Sequence, residues 1–278
     1  MRKKFTRDIR NIVVKVGTST LTKNGRFDKR IIQHLASEIS AFLKKGIRVS
    51  IVSSGAIGAG MTILKMKKRP TAMQELQAAA AVGQRYLMQC YEEAFSRRGL
   101  STAQVLLTWA DLAEKKRYLN AKHTLMEIQK RNLVPVINEN DTVATDEIRF
   151  GDNDRLSALL SILVEADLLV ILSDTDGLYA GGKSGQRIPE VEAGVCMERI
   201  YSHVKEKRNS FTVGGMLSKL KAIHMSVNAG VEVLLADGRD KNVLTRLLEG
   251  GDLGTYFPRH PAHARKSWAG HFEHHIRK

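Results

Sequence analysis

The sequence has 278 residues, enough to bury a substantial apolar core in one large α/β domain or two smaller ones. Its formal charge of +15 attracts anionic partners through a long-range field without saying which. The two cysteines, Cys90 and Cys196, lie far apart, without metal-ligand spacing, and read as reduced thiols with no part in the chemistry. No apolar run approaches the roughly 20 residues of a membrane span, and the basic start, Met1 to Arg10, runs into a strand-like segment with no secretory apolar core. A cytoplasmic protein with no membrane partner is therefore expected.

In chain order, Asn11 to Val16 reads as a strand, and Asp28 to Lys45 as an amphipathic helix, capped by Asp28 and ended by Gly46. Its stripe is Ile31, Leu35, Ile39 and Phe42. A strand from Ile47 to Val52, a helical stretch from Thr71 to about Arg98 and a strand from Ala103 to Leu107 follow. Next come a helix from Tyr118 to Arg131, a strand from Val134 to Asn138, a helix from Asp154 to Ala166 and a buried strand from Asp167 to Leu172. A helix from Met216 to Asn228 leads to a final core strand from Val231 to Ala236. This alternation predicts a mainly parallel sheet between helix layers, in one domain over residues 1–258. The remainder, 259–278, reads as a basic, His-rich, solvated tail. The basic clusters Lys65 to Arg69, Lys115 to Arg117 and Lys205 to Arg208 lack interleaved aromatics and read as solvated faces, not as a specific nucleic-acid surface.

Ligands of an open parallel sheet collect beyond the carboxyl ends of its strands. Lys15 interrupts the apolar run of the first strand at that end, where a buried ammonium needs an anion; the alternative is an edge-strand lysine reaching solvent. After the second strand, Ser54, Gly55 and the glycines at 58 and 60 permit close approach of backbone N–H groups to an anion, or simply a tight start to a helix. Asn138 to Thr142, including Asp141, and Gly151 to Asp154, including Asn153, concentrate carboxylates and amides beyond what caps and turns require. Gly214 and Gly215 introduce the helix at Met216 with Lys219 one turn inside, a plausible phosphate cradle or an ordinary helix start. By contrast, Gly177 to Ser184 fits the Walker A pattern letter for letter in the wrong context. Gly185 follows and Pro189 prevents a helix, so a surface loop is expected there.

Together the motifs VVKVGTSTLT, VSSGAIGAG, QELQAAAAVGQ, RYLNAKHTL, VPVINENDTV, EIRFGDNDRLSALL, LSDTDGLY and GGMLSKLKAI resemble the amino-acid kinase family, and within it the glutamate 5-kinases. The resemblance runs from Ile12 to about Phe257. It implies an αβα sandwich that phosphorylates the γ-carboxylate of L-glutamate with ATP, the first step of proline biosynthesis, with Mg2+ held mainly by nucleotide phosphates. It also assigns roles. Lys15 and Lys219 would neutralise the phosphoryl group in transfer, and Asp154 would hold both lysines. Ser54, Gly55, Asp141 and Asn153 would bind glutamate. The nucleotide would be lined by Lys15, Ser173, Asp174 and the run Val213, Gly214, Gly215, Met216, Leu217, Ser218 and Lys219. The resemblance further implies feedback inhibition by proline, a homo-oligomer (dimer or tetramer), and hand-off of a labile product to glutamyl phosphate reductase.

Thr212-Val213 stands where family members usually show Gly-Thr, which moves the hydroxyl by one residue. Many bacterial glutamate 5-kinases continue into a C-terminal PUA domain, whereas this sequence stops soon after Arg265-Lys266-Ser267-Trp268, so the kinase domain is expected alone. The rival readings are a family member acting on acetylglutamate or uridylate, and a basic nucleic-acid-binding protein suggested by charge alone.

Overall fold

Strands that are apolar on both faces are stable only where helices cover both sides of their sheet. In the computed structural model, which describes residues 9–23, 26–144, 153–181, 185–194, 200 and 215–261, the chain supplies that cover. The elements run β1 (Asn11–Val16), β2 (Thr22–Lys23), β3 (Arg26–Phe27), α1 (Lys29–Lys44), β4 (Arg48–Ser53), α2 (Ala56–Ile63), α3 (Met73–Ser96), β5 (Thr102–Leu107), α4 (Trp109–Ala113) and α5 (Lys115–Lys130). They continue with β6 (Val134–Glu139), α6 (Asp154–Leu163), β7 (Leu168–Ser173), β8 (Leu178–Tyr179), β9 (Arg187–Ile188), α7 (Met216–Asn228), β10 (Glu232–Asp237), α8 (Val243–Leu248) and β11 (Thr255–Phe257).

Among the described residues, seven strands form the main sheet in the order β11-β10-β7-β1-β4-β6-β5. All neighbours are parallel except β10 and β11. One apolar cluster packs Ile12, Val14 and Val16 of β1 with α1, α3 and α8; the other packs Val13 with α5, α6 and α7. The result is a three-layer αβα sandwich.

Strand β1 lies in the middle, with Lys15 opposite Val52 of β4 and Ile171 of β7. The edge-strand reading of Lys15 is thereby excluded. The chain leaves β1 towards β4 and later returns to its other side with β7, so Lys15 sits at the switch point where α/β sheets open a crevice.

Several elements differ from the sequence expectation. Antiparallel β11 follows β10, so β10 is not the last strand of the sheet. Helix α4 is held by a capping box between Thr108 and Asp111, and α8 has the buried Glu38 of α1 accepting from the Thr245 N–H at 2.8 Å. The Walker-like run enters an antiparallel hairpin through Leu178 and Tyr179, which pair with Ile188 and Arg187; residues 182–184 within it lie outside the described residues. Cys90 is buried and free, while Cys196, the cluster at 205–208 and most of the tail also fall outside the described residues.

The tight helix start weighed for the glycines after Ser54 is realised as α2, although glycine lowers helix propensity. Those glycines let two helices touch backbone to backbone. A Cβ on Gly83 of α3 would lie 1.8 Å from Ala56 O and 2.3 Å from Gly60 N, and one on Gly60 would lie 1.8 Å from Ala79 O. A Cβ on Gly58 meets only Thr22 Cγ2 at 3.7 Å. Gly83→Ala is therefore expected to cost about 1–3 kcal/mol through overpacking. Gly58→Ala should be neutral or gain up to about 1 kcal/mol from helix propensity. Denaturant midpoints of the two variants check the pair.

Candidate active site

Side chains alternate along β1, so Lys15 shares the face of Val13, beneath α6 and α7. Both helices begin there. Asp154, the first residue of α6, receives the Lys15 ammonium on Oδ1 at 2.8 Å and the Lys219 ammonium on Oδ2 at 3.2 Å. Ser218 Oγ donates to Oδ2 at 2.9 Å. Lys15 and Asp154 are fully buried, and Lys219 is 6 % exposed. Burying such charges is expensive, and a purely structural core would be as stable with apolar residues here. The positive end of the α6 dipole favours the ionised carboxylate.

The preceding residue, Asn153, belongs to a second network. Its Nδ2 donates to Ser53 O and to Asn138 Oδ1, both at 2.7 Å, and lies 3.3 Å from Ser54 Oγ. An amide nitrogen carries two hydrogens, so the two shorter bonds use them and leave the Ser54 hydroxyl uncommitted by Asn153. Asn138 Nδ2 in turn donates to Gln84 Oε1 of α3 at 2.7 Å. Beneath them the buried Tyr91 and Ser53 hydroxyls lie 3.0 Å apart.

Helix N-termini converge on these networks. Helices α2, α6 and α7 have Gly55, Asn153 and Gly215 as N-caps, and in none does the cap residue's side chain bond a first-turn amide. Gly55 sits at φ 95°, a left-handed conformation that favours glycine.

This geometry can be set beside known proteins. Residues 10–237 match the model of the amino acid kinase family. The chain belongs to the amino acid kinase family.

Within the family it is 47 % identical over 250 residues to a glutamate 5-kinase of Bordetella parapertussis, covering 88 % of this chain and 65 % of that protein. It is 47 % identical over 266 residues to a glutamate 5-kinase of Chromohalobacter salexigens, covering 94 % of this chain and 70 % of that one. The chain thus spans about two thirds of the length of these curated relatives. A carbamate kinase from Giardia lamblia, solved bound to AMP-PNP, shares the amino acid kinase fold at a TM-score of 0.61 and 14 % identity, over 90 % of this chain and 99 % of that one.

The remaining residues named from sequence fall at strand ends and at the start of α7 in this amino acid kinase, or outside the described residues. Asp141 lies just beyond β6 and is 7 % exposed. Burial pushes its carboxyl up to about 6, against the opposing pull of the Arg69 guanidinium. Ser173 ends β7, the strand beside β1, and is buried; Asp174 follows it, exposed, with its carbonyl accepting from Arg239 Nη2 at 3.1 Å. Gly215 is exposed at the start of α7, and Met216, Leu217 and Ser218 are half-buried in its first turn. Val213 and Gly214 lie outside the described residues.

Solvent-shielded atoms with no hydrogen-bond partner among the described residues include Asn153 Oδ1, Asp141 Oδ1 and Gln84 Nε2. Two accept and one donates. Gln84 was not singled out as a site residue, and Asn138 was named only as the start of the polar segment Asn138 to Thr142, although both fall within motifs that carry the family resemblance. A polar residue at the end of the apolar run Val134 to Ile137 was the available signal for Asn138. For Gln84 it was a polar residue on the stripe of Ala80, Leu87 and Tyr91, at helical spacing.

Proposed function

We propose that this chain transfers the γ-phosphoryl group of ATP to the γ-carboxylate of L-glutamate, as a glutamate 5-kinase. The observation that carries the reading is the adjacency of Asn153 and Asp154. One anchors a network with free acceptors suited to an amino acid, and the other gathers two lysines suited to a phosphate. The identity to curated glutamate 5-kinases supports glutamate as the acceptor.

On this reading Asp141 and Asn153 Oδ1 receive the substrate ammonium, while the α2 amides from Gly55 onward and the Ser54 hydroxyl meet a carboxylate. Ser173, Asp174 and the first turn of α7, together with Val213 and Gly214, line the nucleotide. A γ-carboxylate oxygen bonds to the γ-phosphorus as the bond from that phosphorus to the ADP oxygen breaks, giving an acyl phosphate and ADP. No general base is required, because a carboxyl group with an ordinary pKa of about 4.3 is ionised at neutral pH. The obstacle is repulsion between two anions, met by alignment and by cationic groups around the transferring phosphoryl. Lys15 and Lys219 supply those cations, and Asp154 fixes their aim.

Among the described residues no group of three His, Cys, Asp or Glu side chains could hold a metal ion. Magnesium would enter as part of the MgATP substrate, held mainly by the nucleotide phosphates. The described residues contain no helix long and apolar enough to cross a membrane.

ADP release measured against a panel of acceptors tests the reading. Glutamate should be preferred over acetylglutamate and uridylate, and added proline should inhibit. Silence with glutamate beside turnover of another acceptor would overturn the substrate and leave the fold intact.

Asp141 sets an expected pH dependence. Its folded-state value of about 6 exceeds the unfolded value of about 3.9, so the unliganded fold binds more protons than the unfolded chain between those values. The group's stability contribution is therefore lost as pH rises towards 6, while the ionised form that holds an ammonium appears. The KM for glutamate should fall by roughly tenfold per pH unit up to about pH 6 and then level. Kinetics from pH 5 to 8 check this, and Asp141→Asn should flatten the profile at a raised KM.

A further inference from the structure

Helix α3 packs tightly on α2 at Gly83, whose backbone lies against Ala56 in the first turn of α2. The next residue along α3 is Gln84. Its Oε1 accepts from Asn138 Nδ2 at 2.7 Å, and Asn138 Oδ1 accepts from Asn153 Nδ2 at 2.7 Å, so the amide is held in one orientation by residues of the same network. That orientation leaves Gln84 Nε2 shielded from solvent and without a hydrogen-bond partner among the described residues. A buried amide donor left unsatisfied is costly, and native interiors rarely keep one without a use. Asn153 Oδ1 of the same network and Asp141 Oδ1 are also without a partner among the described residues and both accept, so Gln84 supplies the donor of opposite sense that a zwitterionic ligand requires.

We propose that Gln84 is a further substrate-binding residue, its Nε2 donating to a carboxylate oxygen of the amino-acid substrate while its Oε1 keeps Asn138 in register. The inference rests on the reading of this site as an amino-acid site. A donor to a carboxylate discriminates against ligands that lack the charge, because the amide then stays unpaired. Tyr91, two turns further along the same face of α3, supports the neighbouring strand end through Ser53 and does not share this free donor.

The test is glutamate binding by titration calorimetry together with steady-state kinetics on Gln84→Glu and Gln84→Met. Gln84→Glu keeps the shape and an acceptor for Asn138 but replaces the donor with a charge that repels a carboxylate. Glutamate affinity should fall by about 10- to 100-fold, the scale of one lost hydrogen bond to a charged group, with the KM for ATP unchanged. Gln84→Met removes the donor without adding charge, together with the acceptor for Asn138 Nδ2, and should lose at least about tenfold. Unchanged glutamate affinity in either folded variant overturns the proposal, as does an equal loss for glutamate and ATP. Wild-type protein that binds glutamate without turning it over would instead count against the phosphotransfer reading, and the calorimetric comparison would still decide the role of Gln84.

Discussion

Lys219→Ala should lower kcat by roughly 10³-fold, and Lys15→Ala by a similar factor, with the KM for glutamate little changed. The split follows from the geometry. Both ammonium groups meet the carboxylate of Asp154, whereas the atoms suited to glutamate belong to Asn153, Asp141 and the turn at Ser54. A group acting on charge that develops during transfer lowers kcat and kcat/KM together when removed, whereas a group binding substrate uniformly raises KM alone. Arginine is not expected to rescue either position. The lysines are held in a buried cluster sized for a compact ammonium, and a planar guanidinium brings different volume and direction. Steady-state kinetics on purified variants check this, and a KM effect without a kcat effect would place the lysines in substrate binding.

Asp154→Asn is the second large effect, and it acts first on the fold. Removing one partner from a buried charge cluster costs about 3–5 kcal/mol. For a domain of this size the melting temperature should fall by about 10 °C. Activity should fall too, because an amide cannot attract both ammonium groups. The triple variant Lys15→Met, Asp154→Leu, Lys219→Met separates the two roles. Replacing a whole buried charge cluster with apolar residues is often neutral or stabilising, so its melting temperature should recover while phosphotransfer stays lost. Recovery of activity with stability would mean that the cluster serves packing alone.

The main sheet was legible in the sequence because its strands are short apolar runs and its helices carry clear stripes and stops. Lys15 stood out for the same reason, as one charge in an apolar strand. The role of its partner Asp154 was legible only through the family motif, because a carboxylate at a helix start reads equally well as a favourable dipole contact.

Helix α2 was legible only as an alternative because of its composition. Glycine lowers helix propensity locally, and only the approach of α3 at Gly83 shows why glycine is required. The networks around Asn138 and Gln84 were hidden by distance along the chain. Gln84 and Asn138 are 54 residues apart, and Asn138 and Asn153 another 15. Strand β11 is three residues long, too short for period-2 alternation to register.

The central claim is that a carboxylate of glutamate takes the phosphoryl group between Lys15 and Lys219. The most direct measurement traps the acyl phosphate with hydroxylamine and counts γ-glutamyl hydroxamate against ADP. One hydroxamate per ADP from the wild-type protein, with both lost in Lys15→Ala, is the predicted result. ADP released without hydroxamate, or hydroxamate formed at wild-type rate by Lys15→Ala, would contradict it.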